Sequence, residues 1–223
     1  VPSAGASSIA VVRKMVLRPP ERRIRNDAGM RIVGPNCMGL ISLTDRAPIY
    51  TGGITPRIKP GPVALIAQSG SVFGCIAHND PRYAINLAVS PGSETVTTAA
   101  DYLDYALSRP STRVVGMFLE SVRDPENFIA ALARAERQRI PVVVLKVGRS
   151  EVSKQLALSH TGALTGDDAA FDALCRRHGV IRVRSIDELA ATLLLFSSDR
   201  RAGQGGLATM HDSGGERELL ADL

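Results

Sequence analysis

A histidine lies among hydroxyl residues and glycines in the stretch LSHTGALTG, which spans residues 158–166. His160 follows a serine and precedes a threonine, and Gly162 and Gly166 come shortly after it. A histidine that serves packing usually belongs to an apolar period, whereas this pattern is typical of a loop. A neutral imidazole nitrogen is a competent nucleophile towards phosphorus. The residues therefore leave two interpretations open: a histidine that is transiently phosphorylated, or a loop histidine with no special role.

A second candidate is the turn within AQSGSVFG, residues 67–74. Ser69, Gly70 and Ser71 follow an apolar run that predicts a strand, and they precede a run that predicts a helix. The first N–H groups of a helix have no partner within the helix, and the helix dipole favours negative charge at that end. The turn therefore predicts an anion site, although a serine at this position is also an ordinary helix N-cap.

Two acidic residues come at the ends of other predicted strands. Glu120 lies in the run MFLES, residues 117–121, where the predicted strand ends. It is either a helix cap or surface charge, or a carboxylate that accepts a hydrogen bond from an imidazole and so selects the nitrogen that reacts. Gly92, Ser93 and Glu94 lie in the run SPGSET, where helix capping is the favoured interpretation.

The elements that must position these residues follow from periodicity. From about residue 60 onward, short apolar runs alternate with segments of helical period. The predicted strands lie in PVALIAQSG, AINLAVSPG, TRVVGMFLES, PVVVLKVGR and VIRV, and the predicted helices lie in SVFGCIAHN, TVTTAADYLDYALS, DPENFIAALARAERQR, GDDAAFDALCRRHG and SIDELAATLLLFSS. Continuous apolar strands joined by helices imply a parallel sheet covered on both faces. We therefore expect an α/β fold, a flavodoxin-like doubly wound sheet, with His160 in a long functional loop.

The composition is that of an ordinary globular protein and excludes several functional classes. Of 223 residues, 44% are hydrophobic and 22% are charged. No apolar run approaches the roughly 20 residues of a membrane helix, and the N-terminus lacks a secretion pattern, so we expect a cytoplasmic protein without membrane contact. The net charge of +5 comes from dispersed basic residues without interleaved aromatics, which argues against nucleic acid. The three cysteines are too widely spaced for a zinc cluster, and no metal site is expected.

Both ends of the sequence suggest part of a longer chain, or missing segments. The run AGMRIVGPNCMGLIS, residues 28–42, is typical of a helix end that leads into the last strand of an earlier α/β unit. The run GGLATMHDSGGERELLADL, residues 205–223, predicts a new strand, a glycine turn and a helix. A single β–α unit cannot bury its apolar face, so we expect a fragment.

Taken in order, these motifs resemble a known family. The resemblance rests on GPNCMGLIS, GPVALIAQSGSVFG, SPGSETVTTAADYLDYAL, VVGMFLESVRDPENF, PVVVLKVGRS and LSHTGALTGDDAAFDALCRRHGVIRVRSIDELAATLLLF. Over about residues 28–223 the chain is similar to the nucleoside-diphosphate-forming acyl-CoA synthetases of the succinyl-CoA synthetase superfamily. It most resembles the branch of ADP-forming acetyl-CoA synthetases and feruloyl-CoA synthetase-like proteins. The ordered series is far more specific than any single motif.

The resemblance implies a phosphoryl relay. Members of the family interconvert acyl-CoA and phosphate with acyl phosphate and CoA, and a histidine then carries the phosphoryl group to a nucleoside diphosphate on an ATP-grasp domain. By this resemblance His160 is the phosphorylated histidine, and Glu120 is the acidic residue that holds it. The other implied contacts are Ser69, Gly70, Ser71 and Gly162 for phosphate, and Asn36 and Cys37 for CoA or the acyl group.

The resemblance also implies a domain organisation. Residues 1–45 are expected to be the remnant of a Rossmann-like CoA-binding domain, 46–198 a flavodoxin-like succinyl-CoA-ligase-like domain, and 199–223 the start of a second flavodoxin-like domain. The sequence lacks both the glycine-rich loop that opens the CoA-binding domain and an ATP-grasp region. We therefore expect CoA and phosphate as cofactors, ATP or ADP with Mg²⁺ on a partner or missing ATP-grasp domain, and an oligomer.

Two other functions compete with the acid–CoA ligase. A CoA- or acyl-CoA-sensing module of a larger acyltransferase uses a related domain without turnover, but it does not need His160, Glu120 and Ser69 together. A flavodoxin-like nucleotide or flavin binder is disfavoured because aromatic residues, which stack on flavins, make up only 4% of the chain.

Overall fold

The computed structural model describes residues 9–11, 31–53, 58–79, 82–161, 166–200, 203–206 and 208–222, and it describes residues 9–11, 79 and 157–161 by their backbone alone. Its strands are β1 Ile9–Val11, β2 Arg31–Val33, β3 Gly39–Ser42, β4 Ala47–Tyr50, β5 Lys59–Ala67, β6 Ala84–Ser90, β7 Val114–Leu119, β8 Val142–Lys146 and β9 Ile181–Val183. Its helices are α1 Gly70–Asn79, α2 Ala99–Leu107, α3 Pro125–Gln138, α4 Glu151–Thr161, α5 Asp168–Arg177, α6 Ile186–Ser197 and α7 Gly214–Asp222.

Local signals account for several of the helix starts. Asp124 caps α3 by accepting the N–H of Asn127, and a proline follows at the first helical position, where its missing N–H costs nothing. Asp167 caps α5, and Ser185 caps α6, in the same way. These caps fix where each helix leaves its preceding strand or turn.

Seven strands form one sheet in the order β4-β3-β6-β5-β7-β8-β9. The five strands from β5 to β9 pair in parallel, and their order is the 2-1-3-4-5 order of flavodoxin-like sheets. The expectation of a flavodoxin-like α/β fold is therefore confirmed. In such a sheet the order reverses beside the first strand, so the crevice between the carboxyl ends of β5 and β7 is the place where ligands bind.

The sheet is mixed rather than purely parallel because a hairpin extends one side of it. Strands β3 and β4 pair antiparallel, and β3 also pairs antiparallel with β6, with Gly39 opposite Ser90. The connection between β3 and β4 covers residues 43–46, which is far too short for a parallel crossover. Because β3 runs against β6, the start of β3 lies at the carboxyl end of β6.

Helices cover both faces of the sheet. On one face α2, α3 and α5 pack against a cluster that includes Ala64, Ile66, Leu103 and Phe128. On the other face α1 and α6 pack against a cluster that includes Leu65. Each large apolar side chain that is fully buried contributes about 2 kcal/mol, so this double-sided core makes the strand ends a firm support for the turns that follow them.

The sheet pairing corrects one expected domain boundary. A boundary at residue 45 divides the β3–β4 hairpin, whose strand Gly39–Ser42 belongs to the seven-stranded sheet. Hydrogen bonding between strands, rather than chain order, thus places residues 39–45 with the larger unit. Strands β1 and β2 pair in parallel as a separate two-stranded sheet.

The C-terminal part of the chain forms the helix that was expected there, and it forms no strand within residues 203–206 and 208–222. Helix α7 buries none of its residues, and Leu219 is exposed. Within the described ranges, no helix is long and apolar enough to cross a membrane.

Candidate functional site

Four turns meet at the carboxyl edge of the sheet, beside the crevice between β5 and β7. They are residues 34–38 before β3, residues 68–71 after β5, residues 91–98 after β6 and residues 120–124 after β7. The first of these turns reaches the same edge as the others because β3 is antiparallel to β6. We call this group of four turns the site edge. It brings together the motifs GPNC, QSGS, SPGSET and LES, as the strand-end rule predicts.

Ser69 caps helix α1 at the site edge. Its Oγ accepts the N–H of Val72 at 3.4 Å and lies 2.9 Å from the Oγ of Ser71. The capping interpretation is therefore confirmed, but it does not exclude an anion site. Within the described ranges no residue accepts a hydrogen bond from the N–H of Gly70 or Ser71, so these donors and the positive end of the helix dipole remain available to an anion.

Gln68 joins the end of β5 to the turn after β7. Its Oε1 accepts the N–H groups of Glu120 and Ser121, the latter at 3.0 Å. Its Nε2 donates to the carbonyl oxygen of Ser121 at 2.9 Å. The backbone that carries Glu120 is therefore held by a side chain from the neighbouring strand. Gln68 was not among the site residues predicted from the sequence.

Lys146 holds the same turn from the opposite side. Its Nζ donates to the carbonyl oxygens of Glu120 at 2.9 Å and Val147 at 2.6 Å. The side chain is buried, and that burial lowers its pKa. A buried ammonium needs such acceptors, because an unpaired buried charge is costly. Both the N–H and the C=O of Glu120 are thus fixed by side chains from the strands on either side of β7.

Glu94 is the most deeply buried carboxyl group at the site edge. It is 2% exposed, and it accepts hydrogen bonds from Gln68 Nε2 at 2.6 Å and from the N–H of Ala99, at the start of α2, at 3.0 Å. The N-cap of α2 is Thr98, which forms a capping box with Asp101, so the expectation that Gly92, Ser93 or Glu94 is the N-cap is wrong, and Glu94 adds a bond to the N–H of Ala99 from outside the helix. Burial raises its pKa from 4.5 to about 7. Its burial and its bond to Gln68 had no signal in the local sequence.

The GPNC turn packs tightly on the SPGSET turn. The N–H of Ser93 donates to the carbonyl oxygen of Pro35 at 2.8 Å, and the N–H of Thr95 donates to that of Gly34 at 3.2 Å. Gly92 has a φ of +67°, and a Cβ there would lie 2.2 Å from the Pro35 oxygen. Only glycine can lie this close to the Pro35 carbonyl group, so the contact between the two turns requires Gly92.

The two residues expected to bind CoA or the acyl group have different surroundings. Asn36 is exposed at the site edge, with a φ of 54°. Cys37 is buried in the core on the α2 side, where its Sγ–H points to the carbonyl oxygen of Val33, 3.7 Å away, and where burial raises its pKa. A buried thiol with a raised pKa is a poor nucleophile and packs as a small apolar side chain. Of the pair, Asn36 is the side chain that is accessible to a ligand.

His160 lies in the last turn of helix α4. The expectation of a long loop is therefore wrong for residues 151–161. Ser150 caps the helix by accepting the N–H of Ser153 at 3.2 Å, and Glu151 pairs with Lys154 at 2.6 Å. The run QLAL that follows consists of strong helix formers, so the signal was present but was outweighed by the SHTGALTG pattern. The side chain of His160 and the whole of Gly162 lie outside the described residues, so the contact between His160 and Glu120 stays a prediction.

The segment that carries His160 is tied at its base. It leaves the carboxyl end of β8 and returns at α5, and Arg149 before α4 pairs with Asp168 at 3.2 Å. Arg182 on β9 also pairs with Asp168, at 2.8 Å. These pairs hold both ends of the segment at the same side of the sheet as Glu120. Within the described ranges no group of three or more His, Cys, Asp or Glu residues is arranged to hold a metal ion.

Comparison with known proteins adds a family to this geometry. A family model described as the succinyl-CoA ligase like flavodoxin domain matches residues 60–196, which include the 68–71 and 120–124 turns and helix α4.

Several curated relatives are similar over most of this chain. The 4-hydroxybutyrate–CoA ligase [ADP-forming] of Nitrosopumilus maritimus is 32% identical over 86% of this chain and 28% of its own length. The acetate–CoA ligase [ADP-forming] II of Archaeoglobus fulgidus is 33% identical over 87% of this chain and 29% of its own length. The alpha subunit of acetate–CoA ligase [ADP-forming] II of Pyrococcus furiosus is 30% identical over 89% of this chain and 43% of its own length. The chain thus spans less than a third of the first two relatives.

The fold also matches a solved structure. Acetyl-coenzyme A synthetase 1 of Ca. Korarchaeum cryptofilum, described as dinucleotide forming and solved in complex with phosphate and ADP, superposes with a TM-score of 0.77 at 26% identity. The match covers 85% of this chain and 43% of that chain.

Proposed function

This chain belongs to the family of succinyl-CoA ligase-like flavodoxin domains, and from that premise we propose that it is the central part of an ADP-forming acid–CoA ligase. The reaction interconverts acyl-CoA, ADP and phosphate with a carboxylic acid, CoA and ATP. The observation that carries the proposal is the convergence of the GPNC, QSGS, SPGSET and LES turns at one sheet edge, with the His160 segment anchored beside them.

The first step makes an acyl phosphate at the start of α1. The N–H groups of Gly70 and Ser71 and the hydroxyls of Ser69 and Ser71 are the donors that hold phosphate there. One phosphate oxygen attacks the thioester carbonyl carbon, the C–S bond breaks, and the thiolate leaves with CoA. The same donors stabilise the negative charge that develops on the phosphate oxygens. Asn36 is the residue of the GPNC turn that is available to the acyl or CoA group.

The second and third steps move the phosphoryl group through His160. The carboxylate of Glu120 accepts one imidazole N–H, so that the other nitrogen is unprotonated and attacks phosphorus. The P–O bond to the acyl group breaks, and the acid leaves as its carboxylate. A terminal oxygen of ADP then attacks the phosphorus, the N–P bond breaks, and neutral imidazole is restored. Rigid support of Glu120 by Gln68 and Lys146 suits a group whose task is orientation.

The nucleotide site belongs to another domain or subunit in this proposal. This chain matches less than half of a relative that is itself an alpha subunit, which supports an ATP-grasp partner that carries ATP or ADP with Mg²⁺. Residues 1–38 would then be the remnant of a CoA-binding unit, and residues 199–223 the start of a further flavodoxin-like domain. The sensing-module alternative is not favoured, because the similar curated proteins are named as ADP-forming ligases.

The proposal is tested by labelling the histidine from the nucleotide side, which does not require the identity of the acid. This chain, joined to or mixed with its ATP-grasp domain, is incubated with γ-labelled ATP and Mg²⁺. We expect a phosphate that is labile in acid and stable in base, and its loss in His160→Ala. His178→Gln is the control. His178 follows the end of α5 and contacts Glu136 near the end of α3, at the helix ends that lie away from the site edge. An unlabelled wild type, or equal labelling of His160→Ala, would refute the relay.

A further inference from the structure

Gln68 uses all four hydrogen-bonding positions of its amide at the site edge. Its oxygen accepts two backbone N–H groups, and its NH₂ group donates to the Ser121 carbonyl and to Glu94 Oε1. An amide has two oxygen lone pairs and two N–H donors, so no position is left over. A rotation of this amide by 180° would put donors against donors at Glu120 and Ser121.

Glu94 determines which way the Gln68 amide points. One of its oxygens accepts from Gln68 Nε2 at 2.6 Å, and the other accepts from the N–H of Ala99 at 3.0 Å. An ionised carboxylate can only accept, so it admits only the nitrogen end of the amide. The positive end of the α2 dipole offsets part of the cost of burying this charge. Gln68 and Glu94 therefore connect the start of α2 to the turn after β7 by hydrogen bonds that allow only one orientation of the Gln68 amide.

The backbone at Glu94 is itself unusual. Its φ is 51°, in the left-handed region that non-glycine residues rarely adopt. Such conformations cost of order 1 kcal/mol or more and concentrate at functional sites, where the surroundings hold them. Here the conformation turns the Glu94 side chain inward, to 2% exposure, instead of outward from an exposed turn. A cap alone needs neither this burial nor a bond to another strand.

We propose that Gln68 and Glu94 are a positioning pair for Glu120: Gln68 fixes the Glu120 backbone, and Glu94 fixes the orientation of the Gln68 amide. This inference rests on the proposed function, because it gives the pair its purpose, which is to hold the Glu120 carboxylate where the imidazole of His160 is to be oriented. Lys146 completes the support by binding the Glu120 carbonyl oxygen. Neither Gln68 nor Glu94 needs to touch the reacting atoms.

The test exchanges the two side chains. In Q68E a carboxylate faces the carboxylate of Glu94, and in E94Q an N–H group faces either Ala99 or Gln68. In the double variant Q68E/E94Q the new carboxylate at position 68 still accepts from the backbone N–H groups of Glu120 and Ser121, but it cannot donate to the Ser121 carbonyl oxygen as Gln68 does, so recovery is expected to be partial. The new amide at position 94 donates to that carboxylate while it accepts from the N–H of Ala99. We expect each single variant to lower the rate of His160 labelling by roughly 10- to 100-fold, and the double variant to recover at least part of that loss.

The labelling assay uses this chain with its ATP-grasp domain, γ-labelled ATP and Mg²⁺. Labelling rate and the KM for ATP are measured separately, and we expect the rate to fall while the KM stays within about twofold, because the nucleotide binds elsewhere. N86D is the matched control: it makes the same amide-to-carboxylate type of change at Asn86 on β6, which bonds Ser111 and Thr112 at the opposite edge, and it should keep the wild-type labelling rate.

The outcomes separate this inference from the proposed function. If the wild type is not labelled, the proposed function fails. If the wild type is labelled and E120Q is impaired, but Q68E labels at the wild-type rate, the positioning inference alone fails. It also fails if the double variant is no better than the worse single variant.

A measurement on the unmodified chain covers the case in which a variant does not fold. The amide resonances of Glu120 and Ser121 should shift with pH around 7, as Glu94 titrates and the signal passes through Gln68. The charged and titratable groups that face Glu94 are Arg123 from the turn after β7, and Asp101 and Tyr102 from α2. No pH-dependent shift at these two amides would overturn the inference.

Discussion

Two side-chain amides, the buried one of Asn86 and the half-buried one of Gln68, lie at opposite edges of the same sheet and show how differently the two edges are built. At the amino edge, Asn86 on β6 donates to the hydroxyls of Ser111 at 3.0 Å and Thr112 at 2.8 Å, and its Oδ1 has no hydrogen-bond partner among the described residues. At the carboxyl edge, the Gln68 amide is fully bonded, to backbone groups of the Glu120 turn and to the buried Glu94.

The Asn86 amide only links two parts of the chain, whereas the Gln68 amide holds the Glu120 turn in one orientation. Hydroxyl partners rotate to suit the amide, so the amino edge tolerates a partly satisfied group. Backbone N–H groups and a buried carboxylate do not adapt in this way, and a buried polar network is stable only when every member is satisfied. The carboxyl edge, where every hydrogen bond of the Gln68 amide must be satisfied, is the edge that carries the QSGS and LES motifs.

The largest expected effect breaks the contact between the GPNC and SPGSET turns. In Gly92→Ala, the new Cβ would lie 2.2 Å from the Pro35 oxygen at a φ of +67°, so we expect a loss of roughly 3 to 5 kcal/mol in the free energy of unfolding. Gly166→Ala has a similar φ of +70°, but no atom of the residues that the structure describes lies within 4 Å of the new Cβ, and we expect it to cost roughly 1 kcal/mol. Urea denaturation measures the free energy of unfolding of both variants. Equal losses would show that the contact between the two turns does not contribute to stability.

The second effect is the pH dependence that Glu94 gives to the carboxyl edge. Its pKa is 4.5 when unperturbed and about 7 in the folded chain, so the folded state binds this proton more tightly. The resulting stabilisation is fully present below pH 4.5 and is lost as the pH rises to about 7, an amount of roughly 3 kcal/mol for this shift. We expect E94Q to remove this slope, measured as the free energy of unfolding from pH 4.5 to 7.5.

If the free energy of unfolding depends on pH in the same way in E94Q and in the wild type, groups other than Glu94 cause that dependence. If the slope belongs to Glu94, the ionised form that orients Gln68 near neutral pH is held at a cost in stability.

The third prediction compares the two amides directly. Gln68→Met leaves two backbone N–H groups and a carbonyl oxygen without a partner, and it removes one of the two hydrogen bonds that the buried Glu94 carboxylate accepts. We expect it to lower the free energy of unfolding by roughly 2 to 3 kcal/mol. Asn86→Leu leaves only two hydroxyls and also removes an unsatisfied oxygen, so we expect a loss of about 1 kcal/mol or less. Denaturation of both variants at pH 7 measures this, and the reverse order would contradict the comparison.

The smallest effect concerns the ion pairs outside the core. Arg149 pairs with Asp168 at the base of the His160 segment, but its side chain is 51% exposed. We therefore expect Arg149→Gln to change the free energy of unfolding by about 0.5 kcal/mol or less. Arg113→Gln, which breaks an exposed pair with Asp199, is the control. A loss well above 1 kcal/mol for Arg149 alone would mean that the segment is held more strongly than exposed charges allow.

Much of this edge was predictable because its signals are local. The turns after β5 and β7 follow apolar runs and end in polar residues, so Ser69 and Glu120 were expected at the same edge. Ser69 as an N-cap also follows from short-range chemistry, whereas the need for glycine at position 92 comes from its contact with the distant Pro35. By contrast, α4 was missed although its helix formers are local, because a serine–histidine–threonine–glycine pattern was weighed above them.

Periodicity and turn chemistry act within a few residues, so the order of strands and helices and the motifs at their ends could be predicted from the amino-acid sequence alone. Three features depend on the folded chain: residues 39–42 join the larger sheet, Cys37 faces the core while Asn36 faces solvent, and Glu94 meets Gln68 across 26 positions of chain. These outcomes depend on which strands pair and which side chains the completed core excludes from water. They therefore have no signature in any short stretch of sequence.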